Sequence, residues 1–129
     1  MSDGYTVDDL REHLGYLASP YTNFHTGLDD AAFRAAEIAG LLFKHDVYVY
    51  SPVVHCHSIS YCADIDPLDA ERWLKHCKRM AERCDILIIA DMPGWNSSKG
   101  VAKEARWFGD AGKSVFLFKP ETMALEKLR

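Results

Sequence analysis

The run DILIIAD, residues 85–91, constrains this chain more than any other stretch. Five consecutive apolar residues between two aspartates have no polar face to offer solvent, so a strand built from them must be covered on both sides. Shorter runs of the same kind occur in GYLASPY, ending near residue 18, in VYVYSP, stopped by Pro52, and in SVFLF at 114–118. Between them lie segments of helical length and period. LDDAAFRAAEIAGLLFKHD sets Ala32, Ala35, Ala36, Ile38, Ala39, Leu42 and Phe43 on one face, with Asp29 or Asp30 at its start and Lys44 in its last turn. PLDAERWLKHCKRMAERC opens on Pro67 and runs to Cys84, and SSKGVAKEARWFGDAGK ends at Gly112. A short helix over 7–13 precedes the first strand, and PETMALEKL reads as a terminal helix. Residues 53–66 show no helical period and read as a long connection, of the kind that often carries function.

Strands alternating with such helices define an α/β fold. The expected architecture is a single three-layer, doubly wound domain over residues 1–129, with a parallel sheet of four to five strands, flavodoxin-like or Rossmann-like. A chain of 129 residues buries roughly two-thirds of its unfolded surface and needs no metal or disulfide staple. Its net charge of −4 argues against a nucleic-acid or anionic-membrane binder, which would carry a basic face. No segment approaches the roughly 18 apolar residues that span a bilayer. The acidic start MSDGYTVDDLREHLG lacks the apolar core of a signal peptide, so a cytoplasmic location is expected. There Cys56, Cys62, Cys77 and Cys84 would be free thiols.

Parallel α/β sheets bind ligands at the carboxyl ends of their strands. That rule selects the loops ASPYTNFHT, SPVVHCHS and DMPGWNSSKG. In the last, Ser97 or Ser98 suits a helix N-cap and Gly100 admits close approach of a ligand, while the first-turn amides attract an anion. Glu104 falls one turn later. On pattern alone this is a capped surface helix; no Walker or GxGxxG motif accompanies it. Tyr21 and Trp95 lie in these loops and suit either packing or stacking on a base or sugar. Trp73 and Trp107 read as core residues on helices. His55 and His57 fall on one side of an extended HCHSISYC segment, with Cys56 and Cys62 nearby, but the paired spacing of a zinc site is absent. Neither metal nor cofactor is expected.

YLASPYT at 16–22, VYSPVVHCHS at 49–58 and CDILIIADMPGWNSSKGVAKEARWFGDAGKSV at 84–115 resemble the nucleoside 2-deoxyribosyltransferase-like superfamily, in particular a branch of small bacterial and phage proteins. The resemblance implies cleavage of the N-glycosidic bond of a nucleoside or nucleotide, by hydrolysis or by transfer to a second base. It makes Glu104 the nucleophile at the sugar C1′; Tyr16, His57 and Asp69 complete the expected catalytic set. Ser98, six residues earlier, stands where members that act on 5′-monophosphates carry a phosphate-binding serine. The expected binding residues are Ala18, Ser19, Pro20, Tyr21 and Thr22, then His55, Trp95, Ser97, Ser98 and Gly100. The partners implied are a small-molecule nucleotide or nucleoside and further copies of the chain, as a homodimer or higher homo-oligomer.

One position departs from the pattern. The family aspartate that protonates the leaving base lies eight residues before Asp85, and this chain has Cys77 there. A thiol is a poor general acid in that role, and losing such an acid costs roughly 10²–10⁴ in rate. Asp66, Asp69, Glu71 and His57 are the nearby stand-ins. The second reading is a nucleotide-binding or sensing module on the same fold, with little or no catalysis.

Overall fold

All five residues of Ile86–Ala90 are buried, as their unbroken apolar run requires. The computed structural model describes residues 4–129. In chain order the elements are β1 (Leu14–Ala18), α1 (Leu28–Lys44), β2 (Tyr48–Tyr50), α2 (Pro52–Ala63), α3 (Ala70–Arg83), β3 (Ile86–Ala90), α4 (Lys99–Asp110), β4 (Val115–Lys119) and β5 (Ala124–Lys127). Short 3-10 turns occur at Val7–Leu10 and Trp95–Ser97. The five strands form one sheet in the order β2-β1-β3-β4-β5. The first four are mutually parallel, and β5 runs antiparallel to β4.

Alternate residues of the strands feed two cores. Leu17, Ile86, Ile88, Phe116 and Phe118 pack with Ala31, Ile38 and Leu42 of α1. Tyr16, Ala18, Leu87, Ile89, Val115 and Leu117 pack with Cys77 and Ala81 of α3 and with Val101 and Phe108 of α4. Apolar clusters on both sides of one sheet fit a three-layer α/β domain. At Gly15 a Cβ would stand 2.9 Å from Ile88 Cδ1 and 3.2 Å from Val49 Cγ1, so neighbouring side chains already fill the space of a side chain there. No helix among the described residues is long and apolar enough to cross a membrane.

Two expectations are corrected. Residues 53–66 are no loop: α2 occupies Pro52–Ala63, capped by Ser51 Oγ, which accepts the Val54 amide at 3.2 Å. The Ser-Pro start is a proper cap and first turn. Only Pro52, Val53 and Ser60 of α2 are buried, too few to print an apolar stripe on the sequence. The terminal helix is also absent. Met123 takes the left-handed region at φ 63°, ending the turn after β4, and Ala124–Lys127 add to the sheet with Leu125 buried. An available sheet edge outweighs the helix propensity of Ala, Leu, Glu and Lys in so short a segment. Smaller shifts follow capping. Helix α3 begins after Asp69, whose carboxylate accepts the Arg72 amide, so Pro67 lies in the preceding turn. The helix expected over 7–13 is the 3-10 turn Val7–Leu10.

Lys113 ties the end of α3 to the start of β4. Its ammonium donates to the carbonyls of Cys84 at 2.8 Å, Glu82 at 3.2 Å and Ala81 at 3.4 Å, neutralising the negative end of the helix. Lys113→Met keeps the stem and removes the donors. It should lower unfolding free energy by about 1–3 kcal/mol in urea titrations, and an unchanged midpoint would show that water replaces these bonds without loss.

Candidate active site

The site begins with a carboxyl group placed where carboxyl groups rarely sit. Glu104 lies in the second turn of α4 and is only 7% exposed, against β1 residue Tyr16, which is fully buried. The Tyr16 hydroxyl donates a short hydrogen bond to Glu104 Oε2. The Tyr16 ring is held in turn by Tyr50 and Phe108, each with centroids 5.6 Å away. Burial raises the Glu104 pKa, the Tyr16 bond lowers it, and the neighbouring Cys77 raises it again, with the balance at about 8. Burial, with Glu104 and Cys77 alongside, drives the Tyr16 phenol far above its ordinary range, so it stays a donor.

Two cavities lie in this region, neither of them lined by Tyr16 or Glu104. The first, about 380 Å³, opens at the N-terminus of α4 and is lined by Pro20, Thr22, Gly94, Ser97, Ser98 and Lys99. Ser98 is the cap: its Oγ accepts the Val101 amide at 3.3 Å, which leaves the hydroxyl proton free for a ligand. The first-turn amides have no intrahelical acceptor, and at Gly100 a Cβ would meet nothing nearer than Ser98 Oγ at 3.9 Å. Ser97 donates instead to the Gly94 carbonyl at 3.2 Å. The second cavity, about 110 Å³ and mostly apolar, lies between α2 and α3 and is walled by Tyr21, Val53, Cys56, His57, Trp73 and Cys77. The segment Pro20–Thr22 divides the two. Cys77 links the second cavity to the carboxyl group, because it walls that cavity, packs in one core cluster with Tyr16 and lies near enough to raise the Glu104 pKa.

Tyr21 and His57 form a relay on the wall of the smaller cavity. His57 Nε2 stands 2.9 Å from Asp29 Oδ1 and Nδ1 stands 2.6 Å from the Tyr21 hydroxyl. A neutral imidazole that donates to the carboxylate accepts from Tyr21. Burial, with Tyr61, Asp29 and Cys56 nearby, raises the Tyr21 pKa to about 12. Ser19, at the end of β1, has a buried Oγ with no hydrogen-bond partner among the described residues. Such an orphan costs about 1–3 kcal/mol unless a ligand or water meets it.

The structure thus brings Tyr16, Cys77 and Glu104 together and sets Pro20, Thr22, Ser97 and Ser98 on one cavity with Tyr21 and His57 on the other. Ala18 is buried in the core under α3 and α4. Trp95 packs against the same core and lines neither cavity. Asp69 is an exposed helix cap, Asp66 accepts the Leu68 amide at 2.9 Å, and Glu71 is exposed. His55 and His57 do not share a side. On a helix, residues two apart point nearly opposite ways, so His55 turns to Tyr50 and His76 while His57 turns to Tyr21. Asp29 and Tyr50 join the site unforeseen, and Cys56, weighed in the sequence only beside His55 and His57, meets Cys77, since these partners lie far off in sequence. Of the expected core tryptophans, Trp107 packs at the edge of the α3/α4 core, whereas Trp73 walls the smaller cavity and donates Nε1–H to the Asp66 carbonyl at 2.9 Å. A separate hollow of about 340 Å³, lined by Lys78, Glu82, Trp107, Asp110 and Lys113, lies on the C-terminal halves of α3 and α4, away from Glu104.

Fold and geometry together describe a small α/β domain with a mostly parallel sheet that buries a carboxyl group beside a strand tyrosine. A family profile described as a domain of unknown function, DUF1937, matches residues 13–120, and the chain belongs to that family. No curated protein matches it.

Glu104 makes stability depend on pH with a definite sign. Its folded pKa is raised from 4.5 to about 8, so the folded state holds a proton that the unfolded chain releases between those values. The stability this represents is complete below pH 4.5 and is lost as pH rises through 8. Glu104→Gln removes the proton exchange. Its melting temperature should match the parent near pH 4.5 and exceed it progressively toward pH 8, by an increment worth a few kcal/mol. Parallel pH profiles for the two proteins would rule out the raised pKa.

Proposed function

We propose that this protein cleaves the N-glycosidic bond of a nucleoside 5′-monophosphate, by hydrolysis or by transfer to a second base, with Glu104 as nucleophile. One observation carries the reading: the buried Glu104, bonded to Tyr16, stands on the helix whose capped N-terminus, suited to a phosphate, opens on one cavity, and beside Cys77, which walls a small apolar cavity suited to a base. The resemblance to nucleoside 2-deoxyribosyltransferase-like proteins supports the same assignment, and the sheet order agrees with the doubly wound, flavodoxin-like form of the fold. A homodimer or higher homo-oligomer belongs to this proposal through the resemblance alone.

In this reading Ser98 Oγ–H and the α4 amides bind the phosphate, where helix dipole and donors act together. Thr22 and the Ser19 hydroxyl supply further donors. The base enters the space walled by Tyr21, Trp73 and Val53. Ionised Glu104 attacks C1′, the C1′–N bond breaks with its electron pair on the base, and a sugar ester forms on Glu104. Water or a second base then displaces the carboxylate. Tyr16 holds the carboxyl oxygen in position and, by donating to it, favours the ionised form.

The departing base needs a proton, and Cys77 supplies it poorly: its hydrogen bond to Cys56 and its burial hold the thiol well above the ordinary range. Tyr21 lies on the same cavity wall and offers an alternative donor: its hydroxyl would turn from His57 Nδ1 to the departing base, give up its proton, and be reprotonated from solvent. The protonated thiol at Cys77 is also the observation that favours the second reading, a nucleotide-binding module without turnover.

Incubation with deoxy- and ribonucleoside monophosphates should release free base, followed by chromatography. Glu104→Ala should reduce the rate to background while nucleotides still raise its melting temperature; parental turnover in that variant would remove Glu104 from the mechanism. Base release should rise with pH toward 8, following ionisation of Glu104. Tyr16→Phe should shift that rise to higher pH and slow release by roughly 10-fold or more, because the donor that lowers the Glu104 pKa is gone. Ser98→Ala should raise KM for monophosphates at least several-fold and leave binding of free nucleosides unchanged. Stabilisation by nucleotides with no base released would select the binding module.

A further inference from the structure

Helices α2 and α3 gather a second reactive cluster beside the Tyr16–Glu104 pair. Cys56 Sγ lies 3.9 Å from Cys77 Sγ. A ring nitrogen of His76 joins them, and the three ligand-type atoms all lie within 4.8 Å of one another. The Tyr50 hydroxyl is 3.4 Å from His76 Nδ1, and both thiols lie near enough to raise its pKa. The His55 ring stacks on His76 with centroids 4.9 Å apart and planes 9° from parallel.

We propose that Cys56, His76 and Cys77 form a binding site for a thiophilic divalent cation of the zinc class, with one coordination position left for water or a ligand atom. The spacing of the sulfurs is the first argument. Two thiolates bonded at about 2.3 Å to one tetrahedral ion stand about 3.8 Å apart, close to the separation found here. A disulfide needs about 2.05 Å, so the two helices would have to bring the sulfurs nearly 2 Å closer. Ligand chemistry is the second: two thiols and an imidazole suit zinc and its neighbours and reject magnesium or calcium. Preorganisation is the third. Tyr50 can donate to the thiolates and His55 braces the His76 ring, the kind of outer contact that orients metal ligands. His76 is exposed, so rotation of its side chain can close the remaining distance without moving a helix.

Binding releases the thiol protons to solvent and puts the cation on two sulfurs and one nitrogen. Three protein ligands leave a tetrahedral position open, as in catalytic rather than structural zinc sites. A water there would be acidified by the ion and would sit in the cluster that contains Cys77, where the resemblance expects a proton donor. The expectation of no metal rested on sequence spacing. Cys56 and Cys77 are 21 residues apart on different helices, so the set exists only once the helices pack. The site stands independently of the glycosidase reading, because binding is read without nucleotide.

The test is titration of chelator-treated, reduced protein with cobalt(II), followed by its visible and near-ultraviolet spectrum. One equivalent should give the intense ligand-field bands of a tetrahedral ion and a thiolate-to-cobalt charge-transfer band, both removed by zinc. Cys56→Ser should weaken or abolish that band, and His76→Ala, at an exposed position, should weaken cobalt binding by roughly 10-fold or more. Circular dichroism confirms that each variant is folded. Cys62→Ser, at an exposed thiol outside the cluster, should leave the spectrum unchanged. Absence of a charge-transfer band in the parent, or a band that survives both Cys56→Ser and His76→Ala, would overturn the site.

Discussion

Burial of one carboxyl group governs this structure. Glu104 on α4 faces the sheet at a depth where an unpaired charge would cost several kcal/mol, and two features make it tolerable. The Tyr16 hydroxyl satisfies one carboxyl oxygen, and the raised pKa lets the group stay neutral over much of the working pH range. Both depend on β1 and α4 meeting in register, with Tyr16 clamped between Tyr50 and Phe108. An ordinary core would hold an apolar residue at position 104. A group kept near the boundary between neutral and ionised states is suited to proton-linked or nucleophilic chemistry.

The surroundings divide the work by polarity. Amides and hydroxyls at the start of α4 line one cavity, whereas aromatic, aliphatic and thiol groups of α2 and α3 line the other. The segment Pro20–Thr22 separates them because β1 ends at Ala18 and its chain must leave the sheet edge there. Helix α2 carries two sets of contacts on opposite sides: His57 meets Tyr21 and Asp29, while Cys56 and His55 meet Cys77, His76 and Tyr50. A loop at 53–66 could not fix both sets at once. Cys77 is the hinge of the arrangement, sharing a core cluster with Tyr16, a cavity wall with Tyr21 and a sulfur contact with Cys56.

Much of this was legible in the residues and some of it was not, for identifiable reasons. The buried strands announce themselves because parallel strands covered on both faces must be apolar throughout, as in Ile86–Ala90. Helices α1 and α4 show because each buries one stripe. Ser98 and Glu104 were legible as a cap and a carboxylate in the first turns of a helix after a buried strand. Helix α2 stayed hidden because it buries little, so period and burial decouple. Strand β5 stayed hidden because four residues with helix-favouring side chains take their structure from the free edge of β4.

The sequence by itself determined the class of fold, the buried strands, and the helix on which Ser98 is the cap and Glu104 follows, since each follows from local period, capping and apolar run length. Only the tertiary structure decided the company those residues keep. It set Tyr16 on Glu104, Tyr21 on His57 and Asp29, and Cys56 on Cys77 and His76. Those contacts join residues up to 88 positions apart. Helix and strand periods fix which way a side chain points from its own element, whereas the packing of elements fixes what it meets.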